Sequence, residues 1–236
     1  MIYITGDTHG ERARISPAGI PGEESFGAGD TLIICGDFGY LLSGETGERD
    51  FLDALGKKPY TICFLDGNHE NFPLIFSYPK EEWHGGYAHR IRKNIFHLMR
   101  GQVFDISGYR FFVMGGGYSR DRYTRIEGRS WWAEELPDND EYREATHNLS
   151  EVGMKVDYIL THTAPREVIR RMGGFPDPHE AELTGFLEWV MHEVDFRRWF
   201  FGHWHTDKEV YGKFRALWFD VETIPEKNEK SVDFLR

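Results

Sequence analysis

The sequence predicts an α/β fold in which short buried strands lie side by side and present polar residues along one edge. Two observations carry the prediction. First, the runs Met1–Thr5, Thr31–Cys35 and Tyr60–Leu65 are apolar, β-branched or aromatic, and each gives way at once to glycine and a potential ligand. Second, the intervals from Asp7 to Asp37 and from Asp37 to Asn68 are each about 30 residues, the length of one β-α-β unit. Crossovers of that length lay strands in parallel, with their C-terminal ends on a common edge. Groups far apart in sequence then meet in space. The stretch Leu65-Asp66-Gly67-Asn68-His69-Glu70 is the fullest of these ends. Polar groups there are poor core filling, since burying them unpaired costs several kcal/mol.

Taken in order, Gly6-Asp7-Thr8-His9-Gly10 follows the first strand, and the Gly-, Pro- and Ser-rich residues 11–30 read as a loop with at most a short helix. Gly36-Asp37 follows the second strand. Thr46 to Gly56 can be helical, with Phe51, Leu52 and Leu55 on one face. After the third strand, Asn71 to Phe76 reads as a short helix ended by Pro79, and Gly85-Gly86 should break any regular element in 79–94. Ile95–Met99, Val103–Ile106 and Tyr109–Met114 read as a strand meander, with a Ser107-Gly108 turn between the last two. Residues 115–150 form an irregular lobe carrying a polar helix from Asp138 to Leu149. Val156–Leu160 is a strand ending at Thr161-His162, and Glu180–Val194 is the strongest amphipathic helix. Trp199–Phe201 is a strand ending at Gly202-His203-Trp204-His205, residues 208–219 make a hairpin around Gly212, and the charged tail from Ile224 is loosely held.

Composition narrows the class. The 236 residues suit a single domain spanning 1–236 with the lobe as an elaboration, and the net charge of −11 argues against a general nucleic-acid surface. No apolar run nears the ~20 residues that cross a bilayer, and the N-terminus enters a strand without a leader, so a cytoplasmic, non-membrane protein is expected. Cys35 and Cys63 fall within buried strands and read as small core residues in a reducing compartment.

Five strand ends thus carry Asp7, His9, Asp37, Asn68, His162, His203 and His205. Any one of these has an ordinary structural explanation. Gly-Asp-x-His-Gly, Gly-Asp, Gly-Asn-His-Glu and Gly-His-x-His in that order do not. The ordered set resembles the calcineurin-like metallophosphoesterase family, over the scaffold from Met1 to about Tyr211. That resemblance implies two packed mixed β-sheets flanked by helices, a four-layer αββα sandwich, with two metal ions at the strand ends. It implies one ion held by Asp7, His9 and His205, the other by Asn68, His162 and His203, and Asp37 bridging them. His69 matches the family's catalytic histidine, which is not a ligand. Imidazole, carboxylate and amide donors without thiolate suit two divalent ions, manganese first, with iron, zinc or cobalt as options. Such a pair can share a hydroxide and hold phosphoryl oxygens, and a neighbouring imidazole can protonate the leaving group. Hydrolysis of a phosphate mono- or diester is therefore expected.

Protein serine/threonine phosphatases carry Asp and Arg three and four positions after the bridging Asp; here Tyr40 and Leu41 stand there. The expected substrate is accordingly a small-molecule or nucleotide phosphoester rather than a phosphoprotein. Alternatives are a phosphoprotein phosphatase and a non-catalytic scaffold on the same fold, although such a scaffold should lack ligands. A metallo-β-lactamase-type centre is hinted at by His203-x-His205-x-Asp207, but Lys208 occupies the place of its next histidine. With Leu41 unable to grip phosphate, Arg120 in the segment 117–132 is the candidate donor, and Arg166 is its rival.

Overall fold

A computed structural model describes residues 1–227. Two mixed sheets account for its architecture. The first runs, edge to edge, β13 (Val221–Ile224), β1 (Ile2–Thr5), β2 (Thr31–Ile34), β3 (Thr61–Phe64), β6 (Ile95–Leu98), β5 (Gly86–Arg92) and β4 (Lys80–Trp83). The second runs β11 (Lys208–Val210), β12 (Phe214–Ala216), β10 (Arg198–Phe201), β9 (Tyr158–Thr161), β8 (Tyr109–Met114) and β7 (Val103–Ile106). The helices are α1 (Thr46–Leu55), α2 (Phe72–Phe76), α3 (Asn139–Glu151), α4 (Arg166–Met172) and α5 (Ala181–Glu193).

Strand periodicity sorts the core into three layers. Ile2, Ile4, Ile33, Cys63 and Leu65 of the first sheet pack against Phe111, Val113, Leu160 and Phe200 of the second. Their sequence neighbours point the other way, as successive strand residues must. Leu32, Ile34, Ile62 and Phe64 meet Leu52 and Leu55 of α1. Phe112, Met114, Ile159 and Phe201 meet Val168 and Ile169 of α4 and Leu183, Leu187 and Val190 of α5. The result is the helix–sheet–sheet–helix sandwich. Both cysteines are free and buried between the sheets.

The parallel registers decide where the chemistry falls. Thr5 lies beside Ile34 and Ile34 beside Phe64, so β1, β2 and β3 end level. Met114 lies beside Thr161 and Thr161 beside Phe201, so β8, β9 and β10 end level as well.

Three expectations need correction. Gly85-Gly86 does not break regular structure: His84 and Gly85 have φ of 50° and 87°, and they turn the β4–β5 hairpin that completes the first sheet. Two successive positive φ values match the twist of the flanking strands, which is why a glycine there makes a hairpin. The meander divides between sheets, with β6 beside β3 and β7–β8 crossing to the second. The tail begins later than Ile224, which is buried and pairs with Ile2; residues 228–236 lie outside the described residues. Among the described residues, no helix is long and apolar enough to cross a membrane.

Candidate active site

All seven predicted ligand residues converge at the level ends of the two sheets. Around one point, the His9 and His205 Nε2 atoms are 2.9 Å apart, and Oδ2 of Asp7 lies 3.0 Å from His205 and 3.7 Å from His9. Around a second point, His162 Nε2 is 3.0 Å from the Asn68 amide oxygen and 3.2 Å from His203 Nδ1. Asp37 stands between them, with Oδ1 3.6 Å from His162 Nε2 and Oδ2 3.8 Å from His9 Nε2. Donor atoms at such separations can each reach one ion at about 2.0–2.2 Å. Asp7 Oδ1 also approaches His162, at 3.9 Å from Nδ1. That nitrogen is already committed to the Cys35 carbonyl at 2.9 Å, so this contact is not a second mode of ligation.

The backbone is bent to make this convergence. His9, Asp37, His203 and His205 all have positive φ, between 44° and 65°. Non-glycine residues rarely hold this conformation without compensating interactions. The motif glycines let the ends close up: a Cβ on Gly36 would strike the His162 ring, one on Gly67 would strike Asp37, and one on Gly202 would strike Asp7.

Surrounding groups aim the donors. The Nδ1–H of His162 donating to Cys35 leaves Nε2 bare for a ligand. Asn68 donates its amide N–H to Ser119 Oγ at 3.1 Å, which turns the amide oxygen toward His162. The His203 backbone N–H donates to Asp7 at 2.9 Å, and the His69 backbone N–H donates to Asp37 Oδ1 at 2.8 Å. Burial and the neighbouring His162 push the His203 imidazole well below its ordinary range, keeping it neutral. His205 stacks on Trp218, with ring centroids 5.1 Å apart and planes 17° apart.

The donor set fits divalent cations. Asp7, Asp37, Glu70 and Glu180 are all buried at this edge. Burial raises Glu70 and Glu180 above the usual carboxylate range, and Glu70 Oε2 and Glu180 Oε2 have no hydrogen-bond partner. Buried acids left this short of positive charge are what bound cations would correct.

A cavity of 320 Å³ opens directly over these groups, lined by Asp37, Asn68, His69, His203 and His205 below and by Tyr118, Arg120, Asp121 and Trp204 around the rim. His69 borders it; desolvation holds the ring below its ordinary pKa, so it is neutral at pH 7 in the free protein. The three lobe arginines diverge. Arg122 is bound to the fully buried Glu135 at 2.9 Å and lies over Trp131, and Arg125 pairs with Asp121 at 2.9 Å. Arg120 sits over Trp204, donates to the Phe175 carbonyl at 2.9 Å, and approaches Asp177 only to 3.8 Å. Arg166 heads α4 and turns to Glu188 of α5 at 3.2 Å, outside the cavity lining. Its helix, ended by Gly173 in the left-handed conformation, was missing from the sequence reading.

Sequence reasoning also missed the supports of the Asn68 loop. Asp66 accepts from Arg100 and His97 in a buried cluster, and Arg100 reaches on to Glu141 of α3 at 3.0 Å. The Asp66 carbonyl takes the Gly116 N–H at 2.9 Å. These bonds tie the lobe to the end of β3. Asp66 stood in plain view in the motif, but nothing local marks Arg100 as its partner.

Comparison with known proteins places this geometry. No curated protein sequence matches the chain. Among solved structures, the phosphopantetheinyl hydrolase PptH of Mycobacterium tuberculosis is similar at 13% identity and a TM-score of 0.40, over 92% of this chain and 89% of that one. A sequence model of calcineurin-like phosphoesterases matches residues 1–207, a span that holds every residue gathered at the two points, from Asp7 to His205. The chain belongs to the calcineurin-like phosphoesterase family.

Proposed function

We propose that this protein hydrolyses a phosphate mono- or diester with the help of two divalent metal ions, manganese foremost. The observation that carries the reading is the Asp37 carboxylate, which turns one oxygen to each histidine cluster as a bridging ligand must. Asp7, His9 and His205 would hold one ion, and Asn68, His162 and His203 the other. Bound there, the ions would supply a nucleophile at neutral pH and positive charge for the phosphoryl oxygens.

The chain's own residues complete the chemistry. His69, neutral in the free protein, would gain its proton beside a bound phosphate, because a neighbouring negative charge favours imidazolium. It can then hand that proton to the leaving oxygen. Arg120 is held by a carbonyl, an indole face and a long 3.8 Å ion pair to Asp177, so its exposed guanidinium can still donate to a phosphate entering the cavity. Tyr118 and Trp204 offer aromatic walls for the group attached to the phosphate. A small-molecule or nucleotide ester is favoured over a phosphoprotein. Tyr40 and Leu41, which stand where protein phosphatases place Asp and Arg, are buried in the core under the first sheet and cannot grip a phosphate.

The test is metal analysis joined to a substrate panel. Purified protein should hold about two ions per chain. It should hydrolyse members of a series of phosphomonoesters, phosphodiesters and nucleotides with added manganese, and lose that activity to chelator. A metal-binding protein inert toward the whole panel, or a protein that takes up no metal, would overturn the reading.

A further inference from the structure

We propose that Glu180 is a positioning residue that fixes the ring of His203 in the tautomer able to bind metal. The inference rests on the reading of this edge as a metal centre. His203 turns Nδ1 toward His162 Nε2, the atom that also meets the Asn68 oxygen, so Nδ1 is the nitrogen that must be bare. A neutral imidazole carries one proton, and a bare Nδ1 requires that proton on Nε2. Nε2 lies 3.5 Å from Oε1 of Glu180, an ion-pair distance at the outer limit of hydrogen bonding. A proton on Nδ1 instead would leave the Nε2 lone pair facing a carboxylate oxygen in a buried site. Carboxylates behind metal-binding histidines orient the ring and raise its basicity in this way.

Glu180 is built into its place. It is 1% exposed and closes the 3₁₀ turn Pro178–Glu180 that leads into α5. Its carbonyl accepts from Thr184 at 2.9 Å, and Asp177 caps the same turn through the His179 N–H. Oε1, the oxygen that faces His203, also accepts the Tyr118 backbone N–H at 2.7 Å. Gly117 makes room: a Cβ there would lie 3.0 Å from the His162 ring, 3.3 Å from the Asn68 oxygen and 3.5 Å from Glu180. One carboxylate oxygen therefore joins the cavity wall at Tyr118 to the far side of a metal ligand. The sequence alone offered no hint of this, because Glu180 reads as the first residue of an amphipathic helix.

The test reads metal affinity and ring tautomer rather than turnover. Manganese or cobalt is titrated calorimetrically into metal-free wild type, Glu180→Gln and Glu180→Ala. The His203 ring nitrogens of each metal-free protein are followed by long-range ¹H–¹⁵N correlation. Glu180→Gln keeps the shape and an acceptor but removes the charge, and it should weaken one of the two sites about 10-fold; Glu180→Ala should approach 100-fold. The wild-type ring should show the proton on Nε2, and the variants a mixture. Should Glu180→Ala not fold, Glu180→Gln decides the matter. A folded variant with both sites within about twofold of wild type and an unchanged tautomer would overturn the inference. A wild type that binds no metal would instead bring down the reading of the centre, and the inference with it.

Discussion

Replacing Gly67 by alanine puts a single methyl group against the Asp37 carboxylate. Gly67 is not in the left-handed region, so alanine meets no backbone objection there, and the effect is steric. The new Cβ would overlap Oδ1 of Asp37 and lie 2.5 Å from its backbone N and 2.8 Å from its Cγ, where ordinary contact begins at 3.4 Å. Asp37 or the Asn68 loop must therefore retreat by about 1 Å, and a misplacement of that size can cost about 10²-fold in rate. The retreat would also break the His69 N–H bond to Asp37 and draw Oδ1 away from His162. Both proposed metal positions share Asp37, so metal content should fall with turnover. Gly47→Ala is the control, since that glycine lies in the first turn of α1 with nothing within 4 Å of its added Cβ. Metal content by elemental analysis, kcat/KM on the best phosphoester and the circular dichroism spectrum would be compared across the three proteins. A Gly67→Ala protein that keeps its metals and its turnover would show that the strand ends are not packed as described.

His69→Asn should keep its metals yet lower kcat by about 10²–10⁴-fold, with a smaller loss on nitrophenyl esters; an equal loss for good and poor leaving groups would exclude proton donation as its role. Arg120→Ala should lower kcat/KM by about 10-fold, or 1.4 kcal/mol, at unchanged metal content and melting temperature, and unchanged kinetics would confine Arg120 to packing on Trp204. Asp66→Asn removes one of the two carboxylates that pair with buried Arg100, leaving Glu141, and should cost about 1.5–3 kcal/mol of stability at pH 7, measured by urea unfolding. Burial alone would raise the Asp66 pKa, but Arg100 and His97 outweigh it and hold the carboxyl well below its usual range. A depressed folded pKa gives stability that is full above the unfolded value of about 3.9 and lost as pH falls below it. Wild type should therefore lose stability on acidification below about pH 4 more steeply than Asp66→Asn, and parallel curves would contradict the ion pair.

The residues that gather at the candidate site were legible because their signals are local. An apolar strand that stops at Gly-Asp, Gly-Asn-His or Gly-His announces its end within a few residues, and crossover lengths near one β-α-β unit imply parallel neighbours. The Ser107-Gly108 turn, α1, α3 and α5 were readable for the same reason. The β4–β5 hairpin was not, since Gly85-Gly86 can end a strand or turn one, and only the pairing of β4 with β5 decides which.

Beyond these residues, the sequence could not say what stands behind them. The Cys35 carbonyl behind His162, Ser119 behind Asn68, Glu180 behind His203 and Trp218 beneath His205 are separated from their partners by 13 to 127 residues. No periodicity records such pairs. The lobe arginines make the point most sharply. Arg120, Arg122 and Arg125 look alike in the sequence, each a long cation near acidic residues. Packing gave Arg122 the buried Glu135, gave Arg125 to Asp121, and left Arg120 over the cavity. A charge in a loop pairs with whichever carboxylate the tertiary structure brings within reach. Residue types and strand ends therefore determined the kind of chemistry, and only the folded chain decided which side chains aim it.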